Sequence, residues 1–285
     1  MKLTIGLIQE ARTADVAHNR DQTAHKVRSL ARQGAQLICL QELYSSLYFC
    51  QTQDYQAFSL AEPLQGPSYQ SLAPIAQEFG VSIVVPIFEE RAPGLYHNSA
   101  YVIGPNGAAT RPYRKQHIPH DPGFEEKFYF APGDGGYQVQ EAAGARIGTL
   151  ICWDQWYPEA ARLTSLMGAQ ILIYPTAIGY SAGESAAEGA AQLAAWQAIQ
   201  RSHAIANGVF VVSVNRVGSE GGIRFWGHSF VCNPLGEVLA QTGEDPAELL
   251  LEIDLAQIAW FRQRWPFLRD RRTDTYGPLI QRFLD

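Results

Sequence analysis

Residues 146–159 read RIGTLICWDQWYPE, and this stretch decides the fold. Residues 147–151 form a short apolar run with β-branched side chains, which is typical of a buried strand. Pro158 favours the first turn of a helix, where a missing N–H is tolerated, and Glu159 suits the positive end of a helix dipole. Cys152 is therefore predicted to lie on a sharp turn between a strand and a helix.

The position of Cys152 allows two interpretations. A thiol on such a turn is expected to be open and close to backbone N–H groups, which favour a thiolate and can hold an oxyanion. An arbitrary cysteine, however, is more often a small buried core residue. The turn shifts the balance towards a nucleophile, but other residues must support that hypothesis.

Composition excludes several classes of function. The 285 residues are 46% hydrophobic and 18% charged, which is enough for a large core in one domain or two. The net charge of -6, without a basic block, argues against nucleic acid or an anionic membrane as partner. No Gly-x-Gly-x-x-Gly or Gly-Lys-Ser/Thr phosphate loop is present, and no metal or cofactor is expected.

Cysteine spacing and apolar runs predict a cytoplasmic protein. The four cysteines have no close pairing and no metal-type spacing, so they are expected to be reduced thiols. The first apolar run stops at Gln9-Glu10, too soon for a signal peptide. No run approaches the roughly 20 apolar residues of a membrane span.

Strand and helix patterns alternate along the chain. Strands are predicted at 3–9, 36–40, 82–88, 147–151, 171–175, 209–215 and 249–253, and helices at 15–31, 68–79 (with Ser68 as N-cap), 158–167, 190–207 and 255–264. Two hairpins, 98–113 and 225–241, turn on similar Xaa-Pro-Xaa-Gly sequences, and each follows a strand–helix–strand half. This pseudo-repeat predicts an α/β fold, a four-layer α-β-β-α sandwich in one domain over 1–285, with 266–285 as a C-terminal tail.

Three groups stand out as candidate catalytic residues. Glu42 directly follows a buried strand, Lys115 follows the first hairpin, and Cys152 lies on the predicted turn. Taken alone, the carboxylate reads as a solvated loop residue and the lysine as a solvated strand end. Together they supply the nucleophile, the proton carrier and the positive charge that thiol-based acyl transfer requires.

These motifs resemble the nitrilase (carbon–nitrogen hydrolase) superfamily over nearly the whole chain. The matching segments are Leu40-Gln41-Glu42-Leu43, Tyr113-Arg114-Lys115 and Ile151-Cys152-Trp153-Asp154. The resemblance implies the same sandwich, with Glu42 as general base, Lys115 as electrostatic group and Cys152 as nucleophile. It also implies that Glu126 orients Lys115 and the substrate, that the N–H of Trp153 joins the oxyanion site, and that helices 158–167 and 190–207 pair in a homo-oligomer.

Within that superfamily, the loops resemble those of ureidohydrolases that act on N-carbamoylputrescine. The resemblance implies release of putrescine, carbon dioxide and ammonia, as part of polyamine synthesis, with another linear ureido compound or an ω-amide as the alternative substrate. The chain has Tyr180-Ser181-Ala182 where that group has Ser-Glu-Pro, so the carboxylate expected to hold the substrate's amine is missing. The candidate substrate-binding residues are Tyr48, Trp153, Glu125, Thr176 and Glu184, of which the two glutamates are candidates for that amine.

Two rival classes remain as alternatives. A redox thiol protein needs a second cysteine beside the first, and none lies close to Cys152 in the sequence. A non-catalytic binding module is expected to lack one of the three catalytic groups, and none is missing.

Overall fold

The computed structural model describes all 285 residues, from Met1 to Asp285. Its strands are β1 (Lys2–Gln9), β2 (Leu37–Leu40), β3 (Ser82–Ala92), β4 (Leu95–Ile103), β5 (Tyr113–Arg114), β6 (Gln140–Ala142), β7 (Ala145–Thr149), β8 (Ile171–Pro175), β9 (Gly179–Ser181), β10 (Phe210–Val214), β11 (Val217–Glu220), β12 (Ile223–Trp226), β13 (Phe230–Cys232), β14 (Val238–Gln241) and β15 (Ala247–Asp254). Its α-helices are α1 (Val16–Arg32), α2 (Pro67–Phe79), α3 (Glu126–Tyr129), α4 (Pro158–Leu166), α5 (Ala186–Asn207) and α6 (Ala256–Arg264). Short 3₁₀ turns cover Phe49–Gln51, Tyr55–Leu60, Cys152–Trp156, Thr273–Thr275 and Gly277–Ile280.

Two six-stranded sheets form the middle of the molecule. Their strand orders are β15-β1-β2-β3-β4-β5 and β14-β13-β10-β8-β7-β6. Each sheet has three adjacent parallel strands, β1-β2-β3 in one and β7-β8-β10 in the other, followed by an antiparallel neighbour. The two halves therefore repeat one plan, as the sequence pattern predicted.

Alternate residues of the buried strands serve two different cores, because successive side chains point to opposite faces of a sheet. In β2, Leu37 and Cys39 lie in the core between the two sheets, whereas Ile38 and Leu40 lie in the core beneath α1 and α2. A third core joins the outer face of the second sheet to α4 and α5, with Trp196 fully buried in it. The predicted α-β-β-α sandwich is confirmed.

Two local predictions are wrong. The expected strand over 225–232 is divided, because Gly227 and His228 adopt left-handed backbone angles (φ 65° and 54°). As a result β12 joins a small third sheet, β11-β12-β9, while β13 stays in the large one. Ser68 does not cap α2; Gly66 occupies the N-cap, and Ser68 donates its hydroxyl to Glu62 at 2.5 Å.

The longest helix begins earlier than its apolar pattern indicated. α5 starts at Ala186 because Ser185 and Glu188 form a reciprocal capping box at its N-terminus. The last twenty residues contain only the two 3₁₀ turns, and most of their side chains are exposed. All four cysteines are free and buried, and none of the helices has the length and apolarity to cross a membrane.

Candidate active site

The ends of the buried strands bring the predicted catalytic residues into one cluster. Glu42 lies two residues beyond the end of β2, and Lys115 directly follows β5. Cys152 opens a 3₁₀ turn three residues beyond β7, and Glu126 is the first residue of α3. Functional groups gather at the carboxyl ends of strands in layered α/β folds, and here both sheets contribute to the same place.

A buried lysine joins two buried carboxylates. Lys115 Nζ donates to Glu42 Oε1 at 2.9 Å and to Glu126 Oε2 at 2.7 Å, and all three side chains are inaccessible to solvent. Burial by itself lowers the pKa of Lys115, but Glu126 and Glu42 outweigh it and raise the pKa well above its usual value. Burial raises the pKa of Glu126 to about 7, and the ammonium of Lys115 limits that rise.

Glu42 has one engaged oxygen and one free oxygen. Its Oε1 accepts from Lys115 and, at 2.7 Å, from Asn98 Nδ2, whereas its Oε2 is buried without any hydrogen-bond partner. A buried carboxylate oxygen without a donor is available to take a proton from a nearby acid. Sequence reasoning missed Asn98, because it lies inside the buried strand β4 without any motif around it.

Cys152 occupies a strained position beside this cluster. Its backbone is left-handed at φ 44°, which is uncommon for a residue other than glycine and is concentrated at functional sites. Its Sγ lies 3.9 Å from the carbonyl oxygen of Ala177. The strain supports the interpretation of Cys152 as a functional residue over that of an ordinary core cysteine.

The prediction of an open thiol that favours the thiolate is wrong. Cys152 is only 5% exposed. Burial raises the pKa of its thiol well above 9, Glu42 and Glu126 raise it further, and Lys115 lowers it only in part. The thiol therefore carries its proton at neutral pH, and its activation needs a base within the site.

Asp154 fixes the turn that carries Cys152. Its Oδ2 accepts from the backbone N–H of Ile151 at 2.9 Å and from the Tyr113 hydroxyl at 2.7 Å. Its Oδ1 accepts from the backbone N–H of His117 at 3.0 Å and lies 2.7 Å from His117 Nδ1. One buried carboxylate thus ties the cysteine turn to the segment around Lys115. The sequence placed Asp154 in the cysteine motif but did not predict this role for it.

A cavity of about 460 Å³ opens at Cys152. Its walls include Trp153, Trp156 and Phe124, and its only charged lining residues are Asp121 and Glu184. Glu184 is held in place, since its carboxylate accepts from the backbone N–H of Ser181 at 3.0 Å and from Gln192 at 2.9 Å. The volume suits a small molecule, and the charges suit a cationic one.

Among the five predicted substrate-binding residues, Trp153 and Glu184 line this cavity and the other three do not. Tyr48 is buried behind the cluster and donates its hydroxyl to Glu126 Oε1 at 2.7 Å. Thr176 donates its hydroxyl to Gln155 Oε1 at 3.1 Å. Glu125 faces Gln53 and His120, with its Oε2 at 3.1 Å and 3.4 Å from their nitrogens.

No group of three or more His, Cys, Asp or Glu side chains is arranged to hold a metal ion. The groups that the chain brings together in the cluster are a thiol, an ammonium and two carboxylates. Together they can move a proton from sulfur to oxygen and hold negative charge beside a cation, which are the requirements of thiol-based acyl transfer.

Comparison with known proteins agrees with this chemistry. The sequence model of the carbon-nitrogen hydrolase family matches residues 4–263. N-carbamoylputrescine amidase of Solanum tuberosum is 41% identical over 98% of this chain and 95% of its own, and citrullinase of Francisella tularensis is 32% identical over 99% of each. The crystal structure of a carbon-nitrogen hydrolase from Helicobacter pylori G27 matches with a TM-score of 0.97 at 43% identity, over 100% of both chains. The chain belongs to the carbon-nitrogen hydrolase family.

Proposed function

We propose that the protein hydrolyses N-carbamoylputrescine through a covalent intermediate on Cys152. The observation that carries the proposal is the unpartnered Oε2 of Glu42 in a buried cluster with Lys115 and Glu126, next to a protonated thiol. The amidase of Solanum tuberosum, named for this substrate, supports the choice of substrate.

In the first half-reaction, the sulfur of Cys152 attacks the ureido carbon while Glu42 takes the thiol proton. The tetrahedral oxyanion is stabilised by the ammonium of Lys115 and the backbone N–H of Trp153. Glu42 then gives the proton to the terminal nitrogen, the C–N bond breaks, and ammonia leaves. The product is an N-(4-aminobutyl)carbamoyl thioester on Cys152.

In the second half-reaction, water replaces ammonia. Glu42 takes a proton from the water as its oxygen attacks the thioester carbon, and the C–S bond breaks. Cys152 recovers its proton from Glu42, and the N-substituted carbamic acid leaves with the second proton of the water. The free carbamic acid decays to carbon dioxide and putrescine. Glu126 holds Lys115 in place during both steps and is itself held by the hydroxyl of Tyr48.

The residues that line the cavity determine which substrate is preferred. Trp153 and Trp156 contact the four-carbon spacer, and the ammonium of the substrate meets the carboxylates of Glu184 and Asp121. A cation buried without a partner is costly, so these two groups favour a diamine derivative. Glu125, the other predicted partner, lies outside this cavity.

Citrulline is the second candidate, because the citrullinase of Francisella tularensis is 32% identical. It differs from N-carbamoylputrescine only by an α-carboxylate beside the amine. That carboxylate would enter a cavity whose charged residues, Asp121 and Glu184, are both acidic. The repulsion favours N-carbamoylputrescine.

The test compares kcat/KM for N-carbamoylputrescine, citrulline, N-carbamoyl-β-alanine and α-ketoglutaramate. We expect N-carbamoylputrescine to be preferred, and a preference for any of the other three would contradict the proposed substrate. Glu184→Gln and Asp121→Asn should raise KM for the diamine derivative by about 10-fold with little change in kcat, since each removes a charge partner of the bound cation. Glu125→Gln is the matched control and should change neither constant.

We also propose that the protein forms a homo-oligomer through α4 and α5. Four large apolar side chains on or beside these helices are exposed: Leu163, Leu166, Met167 and Ile205. Apolar residues exposed together on neighbouring helices are typical of a protein–protein interface. Light scattering at micromolar concentration should give a multiple of the chain mass, and a monomer would contradict the proposal.

A further inference from the structure

We propose that Arg216, paired with Glu220, is a positioning residue for Glu42 and Glu126. The Arg216 side chain makes no hydrogen bond to the cavity lining or to the thiol. It binds the backbone beside Glu42 and, through Glu220 and Tyr48, it is linked to the side chain of Glu126. The inference rests on the catalytic roles proposed above for Glu42 and Glu126.

Arg216 reaches the Glu42 turn from the opposite half of the molecule. It lies between β10 and β11, and its side chain is fully buried. Its Nη2 donates to the carbonyl oxygens of Glu42 at 3.1 Å and Leu43 at 2.9 Å, and its Nη1 donates to that of Ser46 at 2.9 Å. One guanidinium therefore fixes three carbonyls of the segment that begins at Glu42.

That segment needs an external constraint. Leu43 is left-handed at φ 48°, a conformation that is unfavourable for a residue other than glycine and persists only where the surroundings enforce it. Arg216 binds the carbonyl oxygens of the two peptide units that flank the Cα of Leu43, namely those of Glu42 and Leu43. Without the guanidinium, the backbone of Leu43 is expected to relax and to carry the Glu42 carboxylate away from Lys115.

Glu220, the partner of Arg216, is linked to Glu126 through Tyr48. Glu220 Oε1 accepts from Arg216 Nη1 at 2.9 Å, and its Oε2 accepts from the backbone N–H of Tyr48 at 2.6 Å. The hydroxyl of Tyr48 in turn donates to Glu126 Oε1 at 2.7 Å. Glu220 thus holds the backbone of the residue whose side chain fixes Glu126.

Lysine cannot replace this arginine. The planar guanidinium spreads its donors over two nitrogens, with the carbonyls of Glu42 and Leu43 on Nη2 and the carbonyl of Ser46 and the Glu220 carboxylate on Nη1, whereas an ammonium is a single point of charge. The ring of Phe225 also lies against the guanidinium, with its centroid 5.4 Å from the central carbon.

Arg262 offers a matched control. It is a half-buried residue of α6, and its Nε and Nη2 donate to the carbonyl oxygen of Asn207 at 3.2 Å and 3.0 Å. Like Arg216 it binds a backbone carbonyl through its guanidinium, but Asn207 is the last residue of α5 and belongs to neither catalytic turn. Arg262→Lys therefore measures what the loss of a carbonyl-binding guanidinium does to this fold away from Glu42 and Glu126.

The experiment measures two rates in Arg216→Lys, Glu220→Gln and Arg262→Lys. The first is kcat and KM for N-carbamoylputrescine, with kcat expressed per protein recovered in the native peak of size-exclusion chromatography, so that misfolded protein is not counted. The second is the rate of labelling itself, which needs Glu42 to accept the thiol proton but needs no substrate. A small displacement of a catalytic group can cost about 100-fold, so we expect both variants of the pair to lose about 10-fold to 100-fold in kcat and in labelling rate, with KM changed by less than about 3-fold.

Coupling between residues separates positioning from general stability. Tyr48→Phe breaks the link to Glu126, so Glu220→Gln should lose less in that background than in the wild type. Additive losses in the double variant would overturn the Tyr48 link. Wild-type rates in both Arg216→Lys and Glu220→Gln, or equal losses in Arg262→Lys, would overturn the whole inference. If the wild type does not turn over N-carbamoylputrescine, the proposed substrate fails, while the labelling rates still decide the role of Arg216.

Discussion

The two halves of the sandwich each place a left-handed residue just beyond a buried parallel strand. After β2 it is Leu43, at φ 48°, and after β7 it is Cys152, at φ 44°. In the first turn the functional side chain, Glu42, precedes the strained residue. In the second the strained residue is itself the proposed nucleophile. The two halves of the pseudo-repeat therefore share a left-handed turn after a parallel strand, but one turn presents a carboxylate and the other a thiol.

The two turns differ in what holds them. The cysteine turn is fixed locally by Asp154, which accepts from the N–H of Ile151 three residues earlier. The glutamate turn is fixed by Arg216, which is more than 170 residues away in the sequence. The residues that fix the cysteine turn can thus be recognised in a short sequence motif, whereas the residue that fixes the Glu42 turn lies in the other half of the chain.

Removing the nucleophile should have the largest effect. Cys152→Ala should lower kcat by about 10⁴-fold or more, because no other group can form the thioester, while the fold remains intact. Cys232→Ala, at a buried cysteine of the outer core, is the control and should retain wild-type turnover. Substantial hydrolysis by the Cys152 variant, measured as ammonia release, would remove Cys152 from the mechanism.

Glu42→Gln tests the other turn. The amide keeps the shape but cannot accept the thiol proton, so the loss of kcat should be comparable to that of Cys152→Ala, since base and nucleophile act as a unit. Glu62→Gln changes a buried carboxylate that binds only Ser68 and should leave kcat unchanged. A loss of only a few-fold in Glu42→Gln would make Glu42 a structural carboxylate.

Asp154→Asn loosens the cysteine turn without touching the thiol. In the asparagine side chain, one carboxylate oxygen is replaced by an NH₂ group, which would face groups that are themselves donors. The loss of a hydrogen bond to a buried charged group costs about 1.5–3 kcal/mol. We expect kcat to fall by about 10-fold to 100-fold, in line with that energy. Asp134→Asn, at an exposed carboxylate that pairs with Arg91, serves as control. Equal activity in both variants would show that the turn holds without Asp154.

The pH dependence of Cys152 labelling by iodoacetamide should give the smallest effect. An ordinary thiol reacts about 10-fold faster per pH unit below its pKa, because the thiolate is the nucleophile. Here the thiol pKa is raised well above 9, and the base is a carboxylate. Because the proton passes to a carboxylate inside the site, the labelling rate should change much less than tenfold per unit between pH 6 and pH 9. As pH falls through about 7, Glu126 becomes protonated and loses the charge that raises the pKa of the thiol, which opposes any fall in the labelling rate there. A continued tenfold rise per unit up to pH 9 would exclude base activation.

Local sequence signals account for the parts that were predicted. Apolar runs marked the parallel strands, and the turn after β7 followed from an apolar run that ends before Pro158. The degree of burial of Cys152 was not predictable, because it depends on loops that come from both halves. Asn98 and Arg216 were missed for the same reason: each is a buried polar residue whose partners lie far away in the sequence.

Substrate contacts were the least predictable part of the site. Glu125 and Glu184 looked equivalent in the sequence, but Glu184 reaches the cavity because it folds back onto the N–H of Ser181, whereas Glu125 turns towards His120. The choice between them depends on the side-chain direction of two irregular loops, and no periodic pattern encodes that direction.

The most direct test is a rapid-quench experiment with the wild-type protein and N-carbamoylputrescine. Peptide mass mapping should find an N-(4-aminobutyl)carbamoyl group on Cys152, and on none of Cys39, Cys50 and Cys232, with one equivalent of ammonia released before putrescine appears. Turnover without any adduct on Cys152, or with the adduct on another cysteine, would contradict the assignment of Cys152 as the nucleophile. A bare carbamoyl group on Cys152 would instead show that putrescine leaves first.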